Sequence, residues 1–204
     1  DSIVSSGGFH TDFGVGIRVL KGEKTGYAYS ENTEMADMLN AARAASAIAT
    51  GSSAGCRTYA NVTDRKSDFY PMKENWRDKG ADSFLPFMKE LETSIFSKDS
   101  RIVKVIIRMS DSVCDVMMYN SLGELTYETR PMGSVTVTAV FQQNGKTENR
   151  TASRSFRMGA ELIGSSLADE LAEEAVKEAI ADWGIQTLAF EENHMSAGRL
   201  RKLE

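Results

Sequence analysis

Histidine, cysteine and proline are scarce in this chain: of 204 residues, two are histidine, two cysteine and three proline. His10 and His194 stand at opposite ends of the sequence, so no H-E-x-x-H spacing exists. A catalytic zinc ordinarily takes three protein ligands, often including two histidines. Cys56 and Cys114 form no C-x-x-C pair, which excludes a zinc ribbon and a thioredoxin-type motif. Reduced thiols in a cytoplasmic protein are the expectation. Three prolines and 16 glycines exclude collagen-like and Pro-rich low complexity. No apolar run approaches the ~20 residues a membrane span needs. A basic excess is missing too. Formal charge is -5, which argues against a nucleic-acid binder, because phosphate neutralisation needs a basic face. What is present is a globular composition, 41% hydrophobic and 26% charged, able to form a real core.

The hydrophobic pattern predicts an α+β fold, an antiparallel meander sheet with three helices packed on it. In residues 13–20, Phe13, Val15, Ile17 and Val19 share one face, and 25–29 return as a second strand. Gly14 and Gly16 read as packing against a neighbouring helix, with room for a ligand as the sharper reading. Thr33 caps a helix in which Met35, Met38, Leu39, Ala42, Ala45 and Ile48 recur at helical steps. A second helix is expected over 83–97, with a stripe of Phe84, Phe87, Met88, Leu91 and Ile95. Strands follow at 102–109, 113–119, 124–130 and 134–142, separated by Ser110-Asp111-Ser112, Asn120–Gly123 and Pro131-Met132-Gly133. Asn144-Gly145 is the strongest hairpin signal and returns a fifth strand to about 156. A third helix opens at Ser166, with Leu167, Leu171, Ala175, Val176, Ala179 and Ile180 inward. Glu170, Glu173, Glu174, Lys177 and Glu178 form its solvated face. The chain divides into a hairpin and helix at 1–50, an irregular loop at 51–82, a helix–meander–helix region at 83–182 and an atypical tail at 183–204.

The chemical motifs are weak. Gly51-Ser52-Ser53-Ala54-Gly55 matches the hydrolase G-x-S-x-G pattern, but it follows a helix where that chemistry needs a strand. Gly14-Val15-Gly16 lacks the third glycine of a dinucleotide fingerprint, since position 19 is valine. Asp12, Asp64, Asp68, Asp99 and Asp111 are scattered over loops and strand ends. His10 and His194 read as exposed loop residues. On these motifs no catalytic or metal-ligating residue is assigned, and the substrate-binding residues are unknown.

A family resemblance adds more. Ser5-Ser6-Gly7-Gly8 with Gly14–Val19, then Gly22–Tyr29 and the helix carrying Ala41-Ala42-Arg43-Ala44-Ala45, resemble the TldD/PmbA family. Asp99–Val103, Asn120–Gly123 and Arg130-Pro131 before Val135–Phe141 continue the likeness in order, over roughly residues 5–182. They are closer to the TldD branch than to the PmbA branch. The resemblance implies a cytoplasmic bacterial or archaeal metallopeptidase that cleaves unfolded or extended peptides. It also implies pairing of the two branches as a heterodimer, and an older label, modulator of DNA gyrase. The family's catalytic centre is an HExxxH helix, whose histidines hold a zinc-type metal and whose glutamate activates the metal-bound water. That motif is absent here; Glu191-Glu192-Asn193-His194 has the residue types without the spacing. Thr151–Arg157 also lacks the glycine cluster that the family often has.

The expectation is therefore the N-terminal module of a TldD-like zinc-type metallopeptidase. It would shape the peptide cleft or a partner interface, and hold no cofactor within this chain. An extended peptide would pair with the exposed strand edge at Phe13–Leu20 or Thr25–Tyr29, a site to be probed by Ile17→Pro. The partners expected are a PmbA-like subunit or a second copy, with no nucleic acid and no membrane. The rivals are a stand-alone, non-catalytic partner of a PmbA-like chain, and an enzyme whose site is built from His10, Asp12, Cys56 or Cys114.

Overall fold

The computed structural model describes residues 3–4, 6–50, 63–67 and 69–177. They fall into two compact units, one before residue 64 and one after it, with Tyr119–Glu124 grouped with the first. The α+β class holds, and the helices divide between two separate sheets.

In the first unit, strands β1 (Val15–Lys21) and β2 (Lys24–Ser30) form an antiparallel hairpin. Gly22 opens its two-residue turn at φ +59, a conformation glycine adopts without a Cβ clash. Helix α1 (Met35–Thr50) follows. Its start is held by Asn32 Oδ1, which accepts from the Glu34 N–H at 3.0 Å, one residue earlier than the expected Thr33 cap. The buried stripe of α1 is Ala41, Ala45 and Ala49. The expected large residues Met35, Leu39 and Ile48 are exposed at its flanks. Gly26 gives the reason: a Cβ placed there would lie 1.9 Å from the Ala45 carbonyl oxygen. The helix backbone rests on β2, and only alanine fits between them. Gly14 and Gly16 have another role. A Cβ at either would strike the hydroxyl of Tyr29 or Tyr27, so these rings lie across the glycines on the hairpin's outer face.

The second unit holds a sheet in which β5 (Glu124–Gln143) pairs with β4 (Ile102–Tyr119), β6 (Lys146–Phe156) and the short β3 (Thr63–Ser67). The stretch expected as irregular loop thus carries a strand, and also a short 3-10 turn at Trp76–Asp78 that buries Trp76. The β5–β6 turn is Asn144-Gly145 with φ 53 and 75, and its register places Val137 opposite Ala152. No break occurs at Ser110-Asp111-Ser112 or at Pro131-Met132-Gly133; β4 and β5 each run straight through. Ser110, Asp111 and Ser112 are exposed on an edge strand, which tolerates polar residues, Asp111 at the cost of partial desolvation. Pro131 precedes Gly133, where pairing with β6 ends, so its missing N–H removes no bond to β6.

One face of this sheet is covered by two helices. Helix α2 (Leu85–Lys98) starts from a 3-10 turn at Ala81–Phe84, with no side-chain cap from Asp82 or Ser83. It buries Phe87, Leu91 and Ile95. Helix α3 begins at residue 165, with Gly164 O accepting from the Leu167 and Ala168 N–H groups. It buries Ala168, Leu171, Ala172, Ala175 and Val176. These side chains meet Val135, Val137, Ala139 and Phe141 of β5 in one core. On β4 the core-facing positions are Ile102, then Val105, Ile107, Met109 and Val113.

Candidate functional site

The residues singled out by chemistry do not converge. His10 Nε2 lies 3.3 Å from Asp12 Oδ2, with side chains 85% and 87% exposed, so the pair contributes little. Asp99 is bound by Arg101, whose Nε donates to its Oδ1 at 2.9 Å and holds its carboxyl below the usual range. Asp111 lies on β4, where partial desolvation pushes its carboxyl up. Cys114 is a free, exposed thiol on β4. Ser53 and its glycine pattern, Cys56, Asp68, Glu178, Ala179, Ile180, Glu191–His194 and the tail lie outside the described residues, as does the Asp64 side chain. Among the described residues no group of three or more His, Cys, Asp or Glu could hold a metal ion.

What the first unit offers is a strand edge. Among the described residues β1 pairs only with β2. Lys21 and Lys24 flank the two-residue turn and form a hydrogen-bonded pair. Alternation makes Val19–Gly26, Ile17–Ala28 and Val15–Ser30 bonded pairs as well. The backbone groups of Gly16, Arg18 and Leu20 consequently point away from β2, to the open edge. Ile17 points the other way, so a proline there breaks the hairpin itself, and Arg18 is the residue that reports on the edge.

The second unit has a cavity of about 260 Å³ lined by Phe84, Pro86, Phe87, Ile163, Lys79 and Glu74, among others. Lys79 Nζ is paired with Glu74 Oε2 at 2.7 Å. The wall is braced by Glu161, whose Oε2 accepts from the Glu74 N–H at 3.0 Å. Burial raises the Glu161 pKa, but backbone N–H groups, that of Glu74 foremost, outweigh it and leave the carboxyl below its ordinary value. Arg77 donates to Val113 O at 3.1 Å and to Asp115 Oδ2 at 2.8 Å, and Thr129 Oγ1 donates to Asp115 Oδ1. These anchors span 36 residues or more, except Thr129 to Asp115 at 14, and no local sequence pattern marks them. The Glu face of α3 is likewise not simply solvated. Arg154 of β6 bridges Glu170 and Glu174, both at 2.6 Å.

An open-edged hairpin unit followed by a helix-covered antiparallel sheet defines an α+β module. Residues 1–49 match the family model for PmbA/TldA metallopeptidase domain 1, and residues 74–182 match the model for the PmbA/TldA metallopeptidase central domain. The chain belongs to the PmbA/TldD metallopeptidase family. It is 26% identical to the metalloprotease TldD homolog of Haemophilus influenzae, over 89% of this chain and 39% of that protein. The TldD homolog of Buchnera aphidicola from Acyrthosiphon pisum is 25% identical, over 72% of this chain and 30% of its own. The one from Schizaphis graminum is 22% identical, over 88% and 38%. The chain thus spans less than two-fifths of the length of these curated relatives.

Proposed function

We propose that this chain is the N-terminal module of a TldD-type metallopeptidase that acts on unfolded or extended peptides, with the open edge of β1 helping to shape the peptide cleft. The observation that carries this reading is the outward-pointing backbone at Gly16, Arg18 and Leu20, in a chain of this family. Backbone pairing at a strand edge accepts any extended sequence, and adjacent side chains supply what selectivity there is. The zinc-type metal and the hydrolytic step belong to the full-length protein, and the expected compartment is the cytoplasm.

Binding of a fluorescently labelled, uncharged extended peptide to the chain tests it. Arg18→Pro should abolish binding while far-UV circular dichroism stays unchanged. A folded Arg18→Pro variant that binds as wild type would sink the edge reading. Ile17→Pro should unfold the hairpin.

A second reading is a non-catalytic partner of a PmbA-like chain, or of a second copy. It is favoured by the apolar exposure of the first unit, with Phe9 93%, Phe13 67% and Leu20 65% exposed. Co-purification with a PmbA-like chain, at a defined ratio lost on changing Phe9 and Phe13 to Ser, supports it. A monodisperse monomer in the presence of that chain counts against it.

A further inference from the structure

The sheet of the second unit is covered by α2 and α3 on one face only, and its other face has an unusual composition. On β5 the residues facing away from the core include Ser134, Thr136 and Thr138; on β6 they are opposed by Ser155, Ser153 and Thr151. Thr138 Oγ1 lies 2.9 Å from Thr151 Oγ1, and Ser155 Oγ donates to Ser134 Oγ at 3.1 Å. These hydroxyls form a ladder across the two strands. Each keeps acceptor capacity, and the serines and threonines between them can donate or accept.

Beside this field runs β4. Its core-facing residues are Val105, Ile107 and Met109, so the alternate positions Lys104 and Arg108 point to the outer face. Both are exposed, and neither has an acidic partner among the described residues. The nearby acid of β6, Glu148, stands opposite Phe141, on the core side, and is paired with Arg150 at 2.9 Å. The outer face of β5 and β6 from Ser134 to Gln142 and Thr147 to Ser155 carries no carboxylate. A chain of net charge -5 thus presents one face bearing hydroxyl groups and two cations without an acidic partner among the described residues.

We infer that this outer face is a docking surface for an acidic segment of an extended peptide, a conclusion that rests on the peptide-cleft reading and names the peptide chemistry it favours. The charge complementarity is positional. Lys104 and Arg108 are four residues apart on a strand, about 13 Å. Carboxylates four residues apart on one side of an extended peptide have the same spacing. The hydroxyl ladder suits amide groups, which both donate and accept whatever the side chains. Nucleic acid is the poorer fit, because no aromatic ring on β5 or β6 of this face offers a base a stacking platform.

The test uses the whole chain and two labelled peptides of Gly, Ser and Thr, one with Glu at every fourth position and one with Gln there. Fluorescence anisotropy at low salt should give the Glu peptide about fivefold to tenfold tighter binding, the scale of two exposed ion pairs. The gap should close near ~1 M salt, where the Debye length is about 3 Å. Lys104→Gln with Arg108→Gln should remove the preference, and K104E with R108E should invert it toward a Lys peptide. Equal affinity for the Glu and Gln peptides in wild type overturns the inference and leaves the cleft reading intact. A preference that survives both double variants overturns it too, as does a single-stranded oligonucleotide that binds as tightly. Failure of every peptide to bind overturns both readings. Selective binding of the Glu peptide that is indifferent to Arg18→Pro supports this face and removes only the edge.

Discussion

The Ala45 carbonyl of α1 rests directly over Gly26 of β2, so close that no side chain fits between them. This one contact explains why the helix buries alanines and turns its larger residues outward. It also makes the first unit unusually sensitive at a single position.

Gly26→Ala should destabilise the first unit by about 2–3 kcal/mol or more, the scale of overpacking against a neighbour that cannot yield. Urea unfolding followed by circular dichroism measures it. Gly7→Ala, where a Cβ meets nothing within 4 Å, is the neutral control. Equal midpoints for the two variants would contradict the contact.

Trp76 should be the most costly aromatic to remove in the second unit. It is 3% exposed, its Nε1 donates to Met158 O at 2.8 Å, and its ring stacks on Phe156 with centroids 6.1 Å apart. Trp76→Ala should cost about 3–5 kcal/mol. Trp76→Phe should cost about 1–3 kcal/mol, because it strands the Met158 carbonyl. A Phe variant as stable as wild type would show that the hydrogen bond is dispensable.

Acid should weaken the second unit. Asp99, Asp115 and Glu161 all have carboxyl pKa values held below their ordinary range, by Arg101, by Thr129 with Arg77, and by backbone N–H groups against burial, respectively. A depressed folded pKa contributes stability that is complete above the unfolded value, about 4. It is lost as pH falls through the folded value. Asp115→Asn should therefore flatten the fall in stability below about pH 4. Asp111 has the opposite sign: its raised pKa means the ionised form opposes folding at neutral pH. Asp111→Asn should be as stable as wild type or more so at pH 7. Denaturant midpoints measured from pH 2 to 7 check both.

The chain should retain no stoichiometric zinc. The sequence has no HExxxH, and no metal-ligand cluster exists among the described residues. Elemental analysis after purification in zinc-containing buffer decides it. One equivalent of zinc that survives dialysis and is lost on His10→Ala would point to a site built on His10 and Asp12.

Local signals in the sequence carried far. Asn144-Gly145 specifies its hairpin because two successive positive φ angles are a local demand that these residues meet. Phe87, Leu91 and Ile95 specify the inward face of α2 because large apolar side chains at helical spacing have one favourable side. The family likeness lay in ordered short segments, and the matching of both domains bears it out.

Tertiary structure decided the rest. Ser110-Asp111-Ser112 has turn composition, yet β4, which pairs with β5, runs straight through it, since an exposed edge tolerates polar residues. Which stripe of α1 is buried depends on how closely the helix approaches β2, and Gly26 sets that distance from another element. The outward direction of the Arg18 backbone follows from the phase of hydrogen bonding counted back from the turn, and that of Lys104 from its alternation with Val105, Ile107 and Met109. The sequence by itself determined composition, the type of most elements and family. Edges, faces and registers came from strand pairing, because a shift of one residue reverses which side chains and which backbone groups meet solvent.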